Sequence, residues 1–291
     1  MAFEDEPAHR QIYARQILAK AGIARNDRLL GAFAKVPRED FVGPPPWVYN
    51  DFRNYREMAS ADPVVLYQDV LIGLDTKRGV NNGMPSLHAA GLDALGVREG
   101  ETVVHLGAGA GYYTAIIAEL AGPSGRVIAI EYDEALAARV RKSLSVYPNV
   151  EVVQGDATEW PKEDVDVAYA NFALDHPPAA WIDNLAIGGR LLFPLGIPAV
   201  ENGRPTGFTR RAGFLMIDRR RAESFGAKFL QPVSFVWAEG QEPAPGGRHE
   251  ALAEAFRSRR GYQVRSLRWR KPPGENEWYA EEDWGLSFEE A

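Results

Sequence analysis

Val103-Val104-His105-Leu106-Gly107-Ala108-Gly109-Ala110-Gly111-Tyr112-Tyr113-Thr114 runs from an apolar strand, through a glycine-alternating turn, into a helix-compatible segment that reaches Ala121. Glycine at 107, 109 and 111 removes three β-carbons where strand becomes helix. The backbone can then bend tightly, approach a ligand closely and present free N–H groups at a helix start. A dinucleotide site wants the order G-x-G-x-x-G, but Tyr112 stands where the third glycine would fall. No G-K-[ST] follows the glycines, so the turn is not a phosphate cradle. A nucleoside without phosphates fits it better.

Downstream the chain alternates strand and helix: strands at 102–106, 126–131, 150–154 and 165–170, helices at 112–121 and 134–146. That alternation predicts an α/β fold with a Rossmann-like, doubly wound, mainly parallel sheet. Asp133 falls where the second helix needs its N-cap, and Leu136, Val140 and Leu144 share one face. Ser86 is placed to cap a helix carrying Leu87, Leu92 and Leu95. Gly188-Gly189 turns the chain into a strand at 190–194, and 212–217 and 227–237 read as an antiparallel pair. Upstream, an amphipathic helix over 8–21 stops at Gly22, and Asn26 caps a second helix that ends before Pro37. Pro44-Pro45-Pro46-Trp47 reads as a stiff spacer, and 48–82 as an aromatic, irregular, substrate-facing stretch.

Three segments follow: 1–85, helical and substrate-facing; 86–238, the ligand-binding domain; and 239–291, a C-terminal extension. The extension opens on a Pro/Gly-rich loop at 240–247, followed by a helix at 249–257 and a strand at 262–269. Its arginines at 257–270 and acids at 275–290 read as a solvated appendage whose opposite charges pair, in preference to an RNA surface.

Composition narrows the function. The chain of 291 residues has a net charge of −7, which argues against a nucleic-acid partner, and no cysteine, which excludes disulfides, thiolate metal sites and Cys nucleophiles. No metal-ligand pattern is present. Glu4, Asp5 and Glu6 in an N-terminus without an apolar core are unlike a secretory signal, and no apolar run approaches the ~18 residues of a membrane span. A soluble, cytoplasmic protein is expected.

Candidate ligand residues sit at successive strand tips. Glu131 lies 24 residues after Gly107, where a carboxylate meets the ribose hydroxyls of a bound nucleoside; the alternative is a solvent-facing strand end. Asp156, in Gly155-Asp156-Ala157, follows the third strand, where a carboxylate accepts from an adenine amino group while the adjoining N–H meets a ring nitrogen. The alternative is a cap for the next short helix. His105, Gly107, Ala108, Gly109, Gly111, Tyr112, Glu131, Tyr132, Asp156 and Ala157 form the candidate cofactor set.

These features resemble the protein-L-isoaspartate O-methyltransferase family over about residues 8–237. Gly22-Ile23 with Val36-Pro37-Arg38-Glu39-Asp40-Phe41-Val42 is similar to that family's "GI…VPRE.FV", and Tyr67-Gln68-Asp69 to its "YED". Leu106 to Tyr112 resembles "IGTGSGY", and Gly188 to Gly196 resembles "GGRLVIPVG". The resemblance implies S-adenosyl-L-methionine as cofactor, held by Gly107, Gly109, Gly111, Glu131 and Asp156, and methyl transfer to a carboxylate or related oxygen of a protein, peptide or small molecule. Two departures stand out. Where the family reads "T-I-S-x-P-x-x-H-A", this chain reads Asn81-Asn82-Gly83-Met84-Pro85-Ser86-Leu87-His88-Ala89, so two substrate-contacting hydroxyls are lost. His105 stands where an acidic residue is usual.

A carboxylate acceptor is ionised at neutral pH and needs no general base. Asn81 and Asn82 could donate to it, or Asn-Asn-Gly could simply form a turn. For an alcohol or amine acceptor, His88 and Asp69 are the candidate bases, with a packing role for His88 as the alternative. A non-catalytic cofactor-binding scaffold and a nicotinamide dehydrogenase are the competing readings from other classes. Tyr112 speaks against the second.

Overall fold

The computed structural model describes residues 6–50, 54–201, 204–240 and 247–291. They form two compact units: the chain up to Val103 together with Ala108–Gly155, and Val104–Gly107 together with Asp156–Ala291.

The first unit opens with α1 (Glu6–Lys20), α2 (Asp27–Lys35) and α3 (Glu39–Val42). The side-chain oxygen of Asn26 accepts the Leu29 N–H at 2.9 Å, so α2 starts where the sequence places it, and Leu29 and Phe33 are fully buried. Next come β1 (Val48–Asn50), β2 (Tyr55–Glu57), β3 (Leu71–Asp75) and β4 (Val80–Asn81). The stretch read as irregular is thus a four-stranded sheet in the order β2-β1-β3-β4. Its core is Val42, Trp47, Met58, Leu66 and Ile72. Trp47 is buried with its indole N–H on the Gly43 carbonyl (2.7 Å), so the prolines lead into a packed anchor.

α4 (Pro85–Leu95) is capped differently from expectation. Met84 is the N-cap and Pro85 begins the helix. Ser86 lies two residues past the cap position; its backbone N–H and hydroxyl both donate to Asp69 instead, at 2.8 and 2.7 Å. β5 (Thr102–Leu106), α5 (Tyr112–Ala121), β6 (Arg126–Glu131), α6 (Glu134–Ser143) and β7 (Val150–Gln154) follow the predicted alternation. β6 and β7 pair in parallel from Val127↔Val150 to Glu131↔Gln154. Asp133 caps α6 by accepting the Leu136 N–H at 2.8 Å. The helix stops at Ser143, short of the expected 146.

The second unit carries β8 (Val165–Ala170), α7 (Ala179–Asp183), β9 (Leu185–Glu201), β10 (Arg204–Arg221) and β11 (Ser224–Val233). β8 and β9 run parallel; β9, β10 and β11 are antiparallel neighbours. Gly188-Gly189 does not start a strand. It lies inside β9 as a bulge, with Val165↔Leu185 and Val167↔Arg190 framing the extra residues.

The extension is no solvated appendage. α8 (Arg248–Arg257) is followed by β12 (Ser266–Trp269), β13 (Glu277–Ala280) and β14 (Trp284–Ser287). β12 joins β11 through Phe225↔Leu267, and β14 pairs β12, with β13 outermost. The antiparallel region is therefore larger than a pair. The loop expected at 240–247 falls mostly outside the described residues. The pairing of opposite charges does occur: half-buried Arg268 meets Glu277 at 2.6 Å.

Candidate active site

The glycine turn and Glu131 meet in the first unit. Ala108 N–H donates to the Ile130 carbonyl at 2.9 Å, which sets the turn beside the end of β6. Glu131 then accepts the Gly109 N–H on Oε2 (2.7 Å) and the Asp133 N–H on Oε1 (3.0 Å). Burial raises its pKa above the ordinary value, against the backbone donors that lower it. Gly109 has φ of +57°, and a β-carbon built there meets nothing within 4 Å. The turn is open at this residue, and its backbone conformation strains any side chain. Tyr132, the next residue after Glu131, is 48% exposed. Gly155 N–H donates to the Glu131 carbonyl at 3.0 Å, so β6 and β7 end level, and Asp156 is the next residue in the chain.

Tyr112 is buried among Tyr13, Phe33 and Phe41, and its ring anchors the start of α5. Arg38, wholly buried, lies about 6 Å from the Tyr13 and Tyr112 rings. Its guanidinium donates to the carbonyls of Leu66 (2.6 Å), Gln68 (2.7 Å) and Val70 (2.8 Å), and to Asn82 Oδ1 (3.4 Å). Sequence reading used Arg38 only as part of a motif; here it fastens the 66–70 loop and Asn82.

Asn81, Asn82, His88 and Asp69 all lie in this unit, each with a distinct role. Asn81 closes its own turn: it accepts the Gly83 N–H at 2.9 Å and donates to the Gly79 carbonyl at 3.2 Å. Asn82 is buried, its Oδ1 also accepts the Ile72 N–H (2.9 Å), and its Nδ2 has no partner among the described residues. His88 is buried and stacked on Tyr113, with ring centroids 3.7 Å apart and planes 15° from parallel. Gly83, at φ +72°, would place a β-carbon 2.0 Å from His88 Nε2. The imidazole thus fills the space a side chain at 83 would need. Tyr113, which donates to the Gly83 carbonyl at 3.3 Å, completes the wall and was not singled out from sequence. Asp69 is spoken for, bonded to Ser86 and paired with Lys20 at 2.7 Å.

In the second unit, His105 has no exposed surface. It stacks on Tyr169 (5.5 Å) and its Nε2 is 2.7 Å from Asn171 Nδ2. Burial pushes its pKa down to about 4, so the ring is neutral at physiological pH. It orients Asn171, whose backbone N–H in turn donates to the Leu106 carbonyl at 2.9 Å. Asp156 caps a short 3-10 turn, accepting the Thr158 N–H (2.8 Å) and hydroxyl (2.7 Å) on Oδ1. Ala157 is buried, with its carbonyl accepting the Trp181 indole N–H at 2.9 Å.

A second cluster in this unit escaped sequence reading. Buried Asp175 accepts from His176 Nδ1 (2.6 Å) and His249 Nε2 (2.8 Å), with Arg248 at 3.6 Å. Arg248 also pairs with Glu281 at 2.6 Å. Nothing in the spacing of these residues signals that they meet. Among the described residues no group of three or more His, Asp or Glu is placed to hold a metal, and no helix is long and apolar enough to cross a membrane.

Comparison with known proteins gives a consistent picture. The profile of the protein-L-isoaspartate(D-aspartate) O-methyltransferase family matches residues 14–237. A protein-L-isoaspartate O-methyltransferase of Aeropyrum pernix is 33% identical over 207 residues, covering 68% of this chain and 72% of that one. One from Ignicoccus hospitalis is 31% identical over 228 residues, covering 76% and 93%. Among solved structures, a protein-L-isoaspartate O-methyltransferase superposes with a TM-score of 0.62 at 21% identity, covering 92% of this chain and 73% of its own. A Plasmodium falciparum protein assigned to that family, solved with S-adenosyl-L-homocysteine, gives 0.60 at 17% identity, covering 80% and 99%. These last two likenesses speak to the fold.

Proposed function

The chain belongs to the protein-L-isoaspartate O-methyltransferase family, and from that membership we propose that it esterifies a peptide carboxylate through an acceptor wall different from the family's. It is an S-adenosylmethionine-dependent O-methyltransferase.

The residues fit the cofactor. The open side at Gly109 leaves room for a ligand against backbone, and Glu131 is a buried carboxylate held at that same turn. When bound, S-adenosylmethionine supplies an electrophilic methyl group on a sulfonium. Glu131 would accept from the two ribose hydroxyls, and its two backbone donors hold it in place for that. Tyr132 would offer its exposed ring to the adenine, with Asp156 and the backbone at Ala157 assigned to the adenine edge by their place after β7. Gly107 to Gly111 would face the ligand with backbone alone. Tyr112 anchors α5 from the interior, and His105 acts by orienting Asn171.

The acceptor side follows from which donors are already engaged. Asn81 uses both ends of its amide in the turn, whereas Asn82 keeps a buried amide donor unused among the described residues. We assign Asn82 Nδ2 to the acceptor carboxylate. His88, packed flat on Tyr113, shapes the wall; no base is needed for an acceptor that is already an anion. Holding that anion in line with the methyl and away from water supplies about 7–11 kcal/mol of the barrier.

The observation that carries this reading is the Glu131–Gly109 bond beside an open glycine. Calorimetry with S-adenosylhomocysteine tests it. Removing hydrogen bonds to a charged group costs about 1.5–3 kcal/mol, so Glu131→Ala should bind about 10- to 100-fold more weakly. Unchanged affinity would remove Glu131 from the site. Incubation of aspartyl and isoaspartyl peptides with labelled cofactor then reads the acceptor: base-labile label marks a methyl ester, and base-stable label would refute a carboxylate acceptor.

A further inference from the structure

We propose that the outer edge of β13 and the adjoining flank of α8 form a docking groove for an extended peptide, a segment of the methyl acceptor remote from its reacting carboxylate. The inference rests on the reading of the acceptor as a peptide. β13 ends its sheet, and among the described residues no strand pairs with its outer side. An antiparallel strand turns only alternate N–H and C=O groups toward its neighbour, so the rest of the β13 backbone faces outward as a template for another strand.

α8 and β13 line an open, solvent-facing groove of about 420 Å³. Ala251, Ala255 and Ser258 lie along one stripe of the helix and line it. Their small side chains leave room for a second backbone between helix and strand. Trp278 lines it as well, packed edge-on against Phe229 and Phe256 with centroids 5.0 Å away in each case. Its indole N–H is buried and has no acceptor among the described residues. A buried donor left unmet is costly, and a peptide carbonyl laid along β13 is the group that would meet it.

Charge selects a polypeptide. Glu254 and Arg260 both line the groove, and the Arg260 guanidinium sits 4.3 Å from the Phe288 ring centroid. Glu254 and Glu277 are already paired with Arg257 and Arg268, whereas Arg260 bonds Gln263 Oε1 and has no ion-pair partner among the described residues, so the groove suits a peptide that brings an acidic side chain to Arg260. The four residues of β13 span about 13 Å, enough to pair with about four peptide residues. Strand addition of this kind draws affinity from the main chain and specificity from alternate side chains.

The test uses the full chain and a random dodecapeptide display library, with enriched sequences made as synthetic peptides and measured by calorimetry. Ala255→Arg fills the groove and should abolish binding. Trp278→Phe keeps the ring but removes the donor, and should weaken binding about 2- to 10-fold. Hydrogen exchange should slow at the β13 amides when peptide is present. Both variants should keep wild-type affinity for S-adenosylhomocysteine, which shows that they fold. If no peptide is enriched, or if enriched peptides bind Ala255→Arg as well as wild type, the groove is overturned. The chemistry of the transferred methyl is scored in a different assay, so failure of the carboxylate reading leaves this binding result legible.

Discussion

Returning the family's serine to position 83 should damage this protein. The Gly83 backbone sits at φ +72°, which costs an L-residue about 1–2 kcal/mol. The new β-carbon would also lie 2.0 Å from His88 Nε2, a distance no side chain tolerates. His88 must then leave its stack on Tyr113, an arrangement worth about 0.5–1.5 kcal/mol beyond its burial. The sum is about 1.5–3.5 kcal/mol, the loss expected for Gly83→Ser in urea or guanidinium unfolding monitored by circular dichroism.

A double-mutant cycle separates the two terms. His88→Ala opens the space but leaves the backbone strain. Gly83→Ser in that background should therefore cost about 1–2 kcal/mol, less than in wild type by about 1 kcal/mol. If Gly83→Ser lies within about 0.5 kcal/mol of wild type, the tight coupling between positions 83 and 88 is refuted. Serine at this place would then be a free choice, and its absence would say nothing about the acceptor.

Three further outcomes are expected. Asp175→Asn should destabilise the fold by about 1.5–3 kcal/mol in the same unfolding assay, because it removes the buried carboxylate that accepts from His176 and His249, while Arg248 keeps Glu281. Burial alone would raise the Asp175 pKa, yet His176, His249 and Arg248 hold it below its ordinary value, so its contribution is present at neutral pH and is lost as pH falls through that depressed value; a variant with a flat acid limb is the matching observation. His105, pushed by burial to about 4, resists protonation when folded while the unfolded chain takes up a proton near 6.5, so stability should drop as pH falls from about 6.5 toward 4, and His105→Asn should flatten that slope. Asn82→Asp should keep S-adenosylhomocysteine affinity but lower kcat/KM for a carboxylate acceptor more than about 100-fold, since like charges in contact cost several kcal/mol; an unaltered kcat/KM would separate Asn82 from the acceptor.

The cofactor half of the molecule was legible in sequence because its information is local. β5 and β6 hold apolar runs, β7 and β8 are rich in valine, α5 is largely apolar, α6 carries helical periodicity, and Asp133 announces its own helix. The small sheet over 48–81 was not legible: its strands have two to five residues, and Tyr49↔Ile72 joins segments far apart in the chain. β9 was misjudged because Gly188-Gly189 reads as a turn, and only its partner β8 shows it to be a bulge. The extension was misjudged for the same kind of reason. Its charges look solvated until β12 pairs with β11 and Arg268 is drawn in beside Glu277. The Asp175 cluster brings together residues 74 positions apart, a relation no window of sequence contains.

That difference also explains how the acceptor side could change while the cofactor side did not. The glycine turn is held by local bonds, Ala108 N–H to the Ile130 carbonyl and Gly109 N–H to Glu131 Oε2, so its parts lie close together in sequence. The acceptor wall is a set of mutually dependent parts. Arg38 is a buried cation whose hydrogen-bond partners among the described residues are three carbonyls and Asn82 Oδ1, with no carboxylate among them. By donating to Oδ1, the guanidinium polarises the Asn82 amide and leaves Nδ2 as a strengthened donor with positive charge behind it. In the proposed acceptor site the Arg38 guanidinium would add its field to the hydrogen bond from Asn82, in a low-dielectric interior where charge acts over longer range. A serine cannot enter at 83 alone, because its β-carbon would lie 2.0 Å from His88 Nε2 and the imidazole would have to move with it.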